Sequence, residues 1–387
     1  DRRGRSHTPR EHHPYSIVFP QKEHRVSESA TASAPAKTQP KAKKNRLSSG
    51  FFRFVLTRFL LIIPTVFILV TIVFFVMRAT GDPISAAMGG RLTPEELQRR
   101  IHAAGYDRPL VVQYLDYLGG LLRGDLGTTL TDNQPVTTIL TRYGAATFEL
   151  AFLSLIVALI VGIGLGRLAA RRRDHAADAG IRVFAILCYA TPVFFLGLML
   201  KLVFAVWLNV LPPSGRSSFA SDMQFQRLVS PTGFYIIDAF QLGDMSVLVD
   251  VLRHAVLPAL ALGLLTAGVF IRLVRTNVIS TYTSGYVEAA RSRGVSEGRL
   301  LSKHAWRPAM IPIITVMGMQ IALMLAGAVL TETTFEWKGL GFMLSQYLKQ
   351  RDFVAVQGIV ILIAIIVAVV NFIVDVISAL IDPRVRY

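Results

Sequence analysis

Six long apolar runs separated by polar segments dominate the chain, at approximately residues 55–77, 147–169, 183–207, 255–276, 309–331 and 354–380. Apolar residues fill these runs continuously instead of recurring at the period of a half-buried helix or strand, and each run can cross about 30 Å of hydrocarbon as a helix. The pattern predicts an all-α polytopic membrane protein with six transmembrane helices. Pro64, Pro192, Pro258 and Pro312 fall inside the runs and are expected to kink them, which hydrocarbon tolerates where neighbours satisfy the freed carbonyls. Gly162, Gly164 and Gly166 form a small-residue strip suited to close helix packing.

The polar segments carry helix signals of their own. Between the first two runs, residues 78–142 include LTPEELQRRIHAAG, with Thr93 as a cap, Pro94 at the first helical position and Glu96 in a capping box. A second short helix is expected over Tyr114 to Leu122, and Gly120, Gly124 and Gly127 punctuate the chain from there towards the second run. From Ser284 to Pro312 the chain reads SGYVEAARSRGVSEGRLLSKHAWRPAMIP. Tyr286 to Arg293 predicts a helix, with Thr283 and Ser284 available as caps, Gly294 as a left-handed stop and Ser296 as the cap of a second short helix. By these signals alone the segment is an ordinary loop containing some helix.

Charge sets the orientation. The chain has a formal net charge of +16, and residues 1–50 hold eleven Lys or Arg against four acids. This tail, the segment with Arg171, Arg172, Arg173 and Arg182, and the segment from Arg272 to Arg307 all fall on one side, which the positive-inside rule makes cytoplasmic. On the other side residues 78–142 balance seven bases against seven acids, and 208–253 balance three against four. Both termini are therefore expected inside. Residues 1–50 read as a disordered basic tail ending in KAKKNR, which can touch anionic lipid, and not as a secretory signal; its His7, His12, His13 and His24 read as solvated and not as metal ligands. Residues 51–387 form the six-helix domain, with an external segment at 78–142 and a cytoplasmic loop at 276–307. No basic soluble face interleaved with aromatics argues for nucleic acid, and the single Cys188, inside an apolar run, reads as a packing residue.

Ionisable groups within the runs are few. Lys201, two thirds along the third run, is placed to snorkel outward in preference to contacting a substrate. Glu149 and Glu332 lie near outer ends and Asp375 near an inner end, so no mid-membrane carboxylate pair of the kind an ion-coupled carrier needs is formed. Thr191 and Asn371 are polar or kink positions that are candidates for facing a pathway. No GxxxxGKS/T phosphate loop and no nucleophile–base constellation occur, so neither ATP hydrolysis nor other catalysis is expected of this chain.

YVEAARSRG at Tyr286–Gly294 resembles the EAA-x-x-x-G loop of ABC-importer permease subunits, with Glu288, Ala289, Ala290 and Gly294 at the matching positions. KHAWRPAMIPIITVMGMQ, GAVLTETTFEWKGLGFML, RDFVAVQG and NFIVDVISALIDPRVRY resemble, in order, the peptide-transporter branch of these permeases. In the amino-terminal half RFLLIIPT, RATGDP, TPEEL, DRPLVVQYLDYLGGLLRGDLGTTL and ATFELAFLSLIVALIVGIGLG are similar to the B-type subunit of dipeptide and oligopeptide importers. The likeness covers roughly residues 54–387, without the tail and part of 214–250. His304 and Arg307 stand where the wider importer pattern has isoleucine and proline, a departure that favours the peptide branch; Trp306 and Pro308 vary from it.

The resemblance implies a type I ABC-importer permease of MetI-like fold in a prokaryotic cytoplasmic membrane. It further implies a second homologous permease, two ABC ATPases that use ATP and Mg, an extracytoplasmic substrate-binding protein and a di- or oligopeptide substrate, no cofactor being bound by this chain. Nickel, glutathione or glycosides are the alternative solutes. Glu288, Ala289, Ala290, Arg291, Arg293 and Gly294 are the implied ATPase-coupling residues.

Overall fold

The structure, a computed structural model, describes residues 47–381 apart from 91. The tail histidines, the basic cluster Lys41–Arg46 and the final stretch from Asp382 lie outside the described residues. Among those described, every regular element is helical. Four helices are long and apolar enough to cross a membrane uninterrupted: α1 (Leu47–Ala79), α5 (Val136–Arg171), α10 (Met245–Tyr282) and α15 (Phe353–Ile381). Two further apolar stretches are bent helix pairs, which brings the number to six if each pair makes one span. Short helices α2 (Pro83–Met88), α3 (Pro94–Ala103) and α4 (Leu110–Leu122) come after α1, with Thr93 accepting the amide of Glu96 at 3.4 Å as its capping signal requires.

The third apolar run does not form one straight span. It becomes α6 (Ala176–Ala190) and α7 (Val193–Leu200), the latter continuing as π-helical turns through Trp207, and the two halves meet at 109°. Pro192 has no N–H to donate, and it pushes Thr191 into an extended conformation, φ −81° and ψ 127°, so the helix stops there. The fifth run, in α13 (Trp306–Phe335), bends by 44° beside Pro312. Pro64 and Pro258 break neither α1 nor α10, which continue past them.

Helices α5 and α10 are the central pair. A Cβ on Gly162 would come within 2.5 Å of the Phe270 Cβ, and one on Gly166 within 2.7 Å of the Val274 Cβ. The two glycines stand four apart and face two residues four apart, so one groove on α5 accepts one ridge on α10. Gly164, on another face, has open space and takes no part.

Around this pair α15 packs on α13 and carries α1 on its far side, where Phe59 meets Phe372 edge-on at 5.9 Å and Arg58 pairs with Asp375 at 3.2 Å. Most apolar side chains of α1, including Ile63, Phe67 and Ile68, remain exposed, as on a lipid-facing helix. Cys188 is buried, as its place in an apolar run requires.

The face that carries the basic loops is fastened by Asp178 of α6, fully buried, which accepts two hydrogen bonds from Arg275 of α10 at 2.6 and 2.7 Å. On the opposite face lie α2–α4, α8 (Phe219–Phe225), α9 (Tyr235–Leu242) and α14 (Leu340–Lys349). Asp352, also buried, ties the start of α15 to the loop before α5 by accepting from the amides of Leu130 and Thr131 at 2.6 and 2.9 Å. Two polar clusters thus hold opposite ends of the bundle.

Candidate functional site

On the basic face α10 ends at Thr283, and Ser284 takes the extended conformation of a helix cap, φ −76° and ψ 150°. Its hydroxyl does not cap the new helix; it donates back to the carbonyl of Thr281 at 2.5 Å. The helix α11 (Gly285–Ser292) is eight residues long and has two faces. Val287 and Ala290 are buried against Leu300, with Tyr282 and Val295 packed around them. Tyr286, Glu288, Ala289, Ser292 and Arg293 are exposed.

Gly294 closes the helix at φ +80°. Its amide donates to Arg291 O at 2.9 Å and that of Val295 to Ala290 O at 3.3 Å, the paired bonds of a Schellman stop, while Val295 packs beside Ala290. Ser296 caps the next turn by backbone alone, before α12 (Glu297–Arg299) and a π-helical stretch, Leu300–Ala305, that runs into α13.

A charged clamp fixes the two short helices together. Arg291 donates to Glu297 at 2.7 Å and lies over the Tyr282 ring, 5.1 Å from its centroid, while the Tyr282 hydroxyl donates to the same carboxylate. Hydrogen bonds from Arg291 and then Tyr282 hold the Glu297 carboxyl below its ordinary pKa, and the pairing raises that of Arg291.

The six residues singled out by sequence therefore divide. Glu288, Ala289 and Arg293 face outward, with Gly294 exposed at the turn; Ala290 faces the chain's own core; Arg291 is engaged by Glu297. The loop is anchored from behind, because Leu301, Trp306, Ala309 and Ile313 pack with Val274 and Val278 of α10. Trp306, unassigned by sequence, also receives Arg167 of α5 over its ring at 5.1 Å. Pro308 is exposed, and nothing in the structure explains its choice.

The opposite face holds a second polar centre that sequence reading placed only roughly. Glu149 is buried and bound to Arg216 at 2.6 Å and to the amide of Ile236 at 2.8 Å. Arg216, itself buried, lies 3.7 Å from the centroid of the Tyr235 ring. Glu332 accepts from the Thr147 hydroxyl at 2.6 Å and from the amide of Phe342 at 2.9 Å. A Cβ on Gly339 would come within 2.5 Å of its carboxylate, so glycine is needed there.

Trp337 donates from its indole to Ala146 O at 2.9 Å and is fully buried. Above these groups opens a cleft of about 620 Å³, lined in part by Arg142, Tyr143, Arg216, Tyr235, Glu336 and Lys338. The Lys201 ammonium donates to Thr334 O at 2.9 Å and so caps the last turn of α13, whose carbonyls lack a helical partner. No group of His, Cys, Asp and Glu suited to a metal ion occurs among the described residues.

Residues 162–387 match the family model described as "Binding-protein-dependent transport system inner membrane component", and residues 51–150 match its amino-terminal companion. The Di/tripeptide transport system permease protein DppB of Pseudomonas aeruginosa (strain UCBPP-PA14) is 37% identical over 336 residues, 86% of this chain and 98% of the relative. The Dipeptide transport system permease protein DppB of Escherichia coli (strain K12) is 37% identical over 338 residues, 87% of this chain and 99% of the relative. A solved structure of the MetNI methionine ABC transporter, in inward facing conformations, aligns at 14% identity with a TM-score of 0.46, over 64% of this chain and 97% of that one.

Proposed function

Because this chain belongs to the family of binding-protein-dependent transport system inner membrane components, we propose that it is the permease subunit of a peptide-importing ABC transporter, driven through α11. The peptide assignment rests on relatives at 37% identity that are named for dipeptide and di/tripeptide transport. In this reading the basic face is cytoplasmic, both termini lie inside, and ATP with Mg acts in two separate ATPase subunits. This chain binds no cofactor; it pairs with a second permease and receives peptide from an extracytoplasmic binding protein.

The observation that carries the coupling role is the division of α11. Its inner face is locked to Leu300 and, through the π-helical stretch, to α10 and α13, while its outer face presents Glu288, Ala289 and Arg293. A small residue flanked by opposite charges suits close approach by a partner helix or groove. ATPase closure would push on α11, and the packed route through α10 and α13 would carry that movement to the spans and exchange inward-open for outward-open states.

The test uses the assembled transporter. A cysteine in place of Ala289, which is exposed, should crosslink to the ATPase in a nucleotide-dependent way, whereas Ala290→Cys, on the buried face, should crosslink far less. Glu288→Arg should lower both peptide uptake and peptide-stimulated ATP hydrolysis. Equal crosslinking at both positions, or full activity in Glu288→Arg, removes α11 from the interface.

A further inference from the structure

The cleft on the face opposite the coupling loop has a floor and a rim of different character. On the floor the Arg216 and Glu149 charges pair with each other, and the buried carboxylate of Asp238 accepts from the amides of Thr232 and Gly233. On the rim, Arg142, Glu336 and Lys338 are exposed, and none has an ion-pair partner among the described residues.

The rim is held rigidly. Trp337, between Glu336 and Lys338, is fixed by its indole bond to Ala146 O and by its own amide donating to Glu332 O at 2.9 Å. Gly215 donates to Phe335 O at 2.9 Å and closes the loop from the other side. Glu336 sits at φ +52°, the left-handed region that strains a residue carrying a side chain. The fold thus holds a carboxylate and an ammonium two residues apart on a stiff lip, with the Arg142 guanidinium and the tyrosines Tyr143 and Tyr235 lining the same space.

We propose that this cleft is a seat for the imported peptide on its way to the spans, recognising a short peptide by its free termini. Glu336 takes the α-ammonium group, Lys338 and Arg142 take the α-carboxylate, and the tyrosines pack against the backbone and side chains between. The volume suits a small ligand of a few residues, since ligand pockets span about 300–1,000 Å³. Opposite charges on a preorganised rim favour a zwitterion over a solute of single charge, because either charge alone would meet a like charge at one contact. The proposal rests on the peptide-import reading and adds to it where the peptide first meets this chain and by which groups.

The experiment uses proteoliposomes containing the full complex, with its ATPases and the binding protein loaded with trialanine. Glu336→Lys and Lys338→Glu change exposed side chains and leave the packing of Trp337 intact. Each should lower uptake at saturating loaded binding protein by roughly ten- to a hundredfold, the loss of about one charge-assisted hydrogen bond. The dissociation constant of the binding protein for the vesicles should stay within twofold. A tripeptide carrying benzoylphenylalanine should photolabel segments containing Tyr143 or Tyr235 in the wild type and lose that labelling in the variants.

Unchanged uptake in both variants overturns the seat. So does a loss of binding-protein docking by the same factor as uptake, which would make the cleft the docking surface of that protein. If wild-type vesicles take up no trialanine with ATP, the peptide-import reading falls first; wild-type uptake with unaffected variants removes the seat alone.

Discussion

Replacing Gly294 isolates what the turn after α11 contributes, because the site separates backbone from packing. Its φ is +80°, yet a Cβ there would meet nothing within 4 Å, so any penalty of substitution is conformational. An L-residue held in the left-handed region costs about 1–2 kcal/mol, and a β-branched one stands at the upper end or beyond. If the turn escapes to a relaxed conformation, the bonds from Gly294 to Arg291 O and from Val295 to Ala290 O are lost, and Val295 leaves the cluster that fixes the inner face of α11. A shift of that size changes the ordered-to-disordered ratio of the loop by about 5- to 30-fold. Gly294→Val should therefore weaken binding of the ATPase subunit to the permease in nanodiscs by up to that factor, with excess ATPase restoring peptide-stimulated hydrolysis. Gly294→Asn should be milder, since asparagine tolerates this region. Gly298→Ala is the control: Gly298 lies in the same loop, in helical conformation, with open space around it. Wild-type ATPase affinity in Gly294→Val, or equal weakening in Gly298→Ala, would refute a conformational role for this glycine.

What the sequence made legible was governed by local chemistry. Continuous apolar runs located the crossings, Thr93–Pro94–Glu96 located α3, and Gly294 marked the end of α11, because each signal acts within a few residues of itself. Pro192 marked a kink in the third run, but not its size, because the 109° bend depends on the neighbours that accept it. Of the three glycines at 162–166, sequence could not say that only Gly162 and Gly166 meet α10, since that depends on which face the partner occupies. Long-range polar pairs were invisible for a related reason. Arg216 and Glu149 are 67 positions apart, and Lys201 and Thr334 are 133 apart, so nothing in either segment names its partner. The Arg291–Glu297 clamp is nearer, but it spans a turn and escapes the four-residue spacing by which helical ion pairs are found. It gives Arg291, one of the six residues singled out by sequence, a partner within the loop itself.

Three other perturbations probe the geometry. Arg216→Met leaves Glu149 buried without its cation and should destabilise the permease by about 3–5 kcal/mol; thermal unfolding in detergent checks this, and Arg216→Met combined with Glu149→Gln should recover much of the loss. Gly166→Leu should sharply lower the yield of folded protein because its side chain would invade Val274, while Gly164→Leu should be tolerated; equal yields would remove the close-packed seam between α5 and α10. The clamp between α11 and α12 should respond to pH with a definite sign. Because the folded-state pKa of Glu297 is depressed, its contribution to loop order is present above the ordinary carboxylate value and is lost as pH falls through the depressed one. A spin label on Ser292→Cys should therefore report constant mobility at neutral pH and rising mobility only below the ordinary glutamate range, whereas Glu297→Gln should be mobile throughout. Equal, pH-independent mobility in the two proteins would show that the apolar contact of Val287 and Ala290 with Leu300 orders the loop without the clamp.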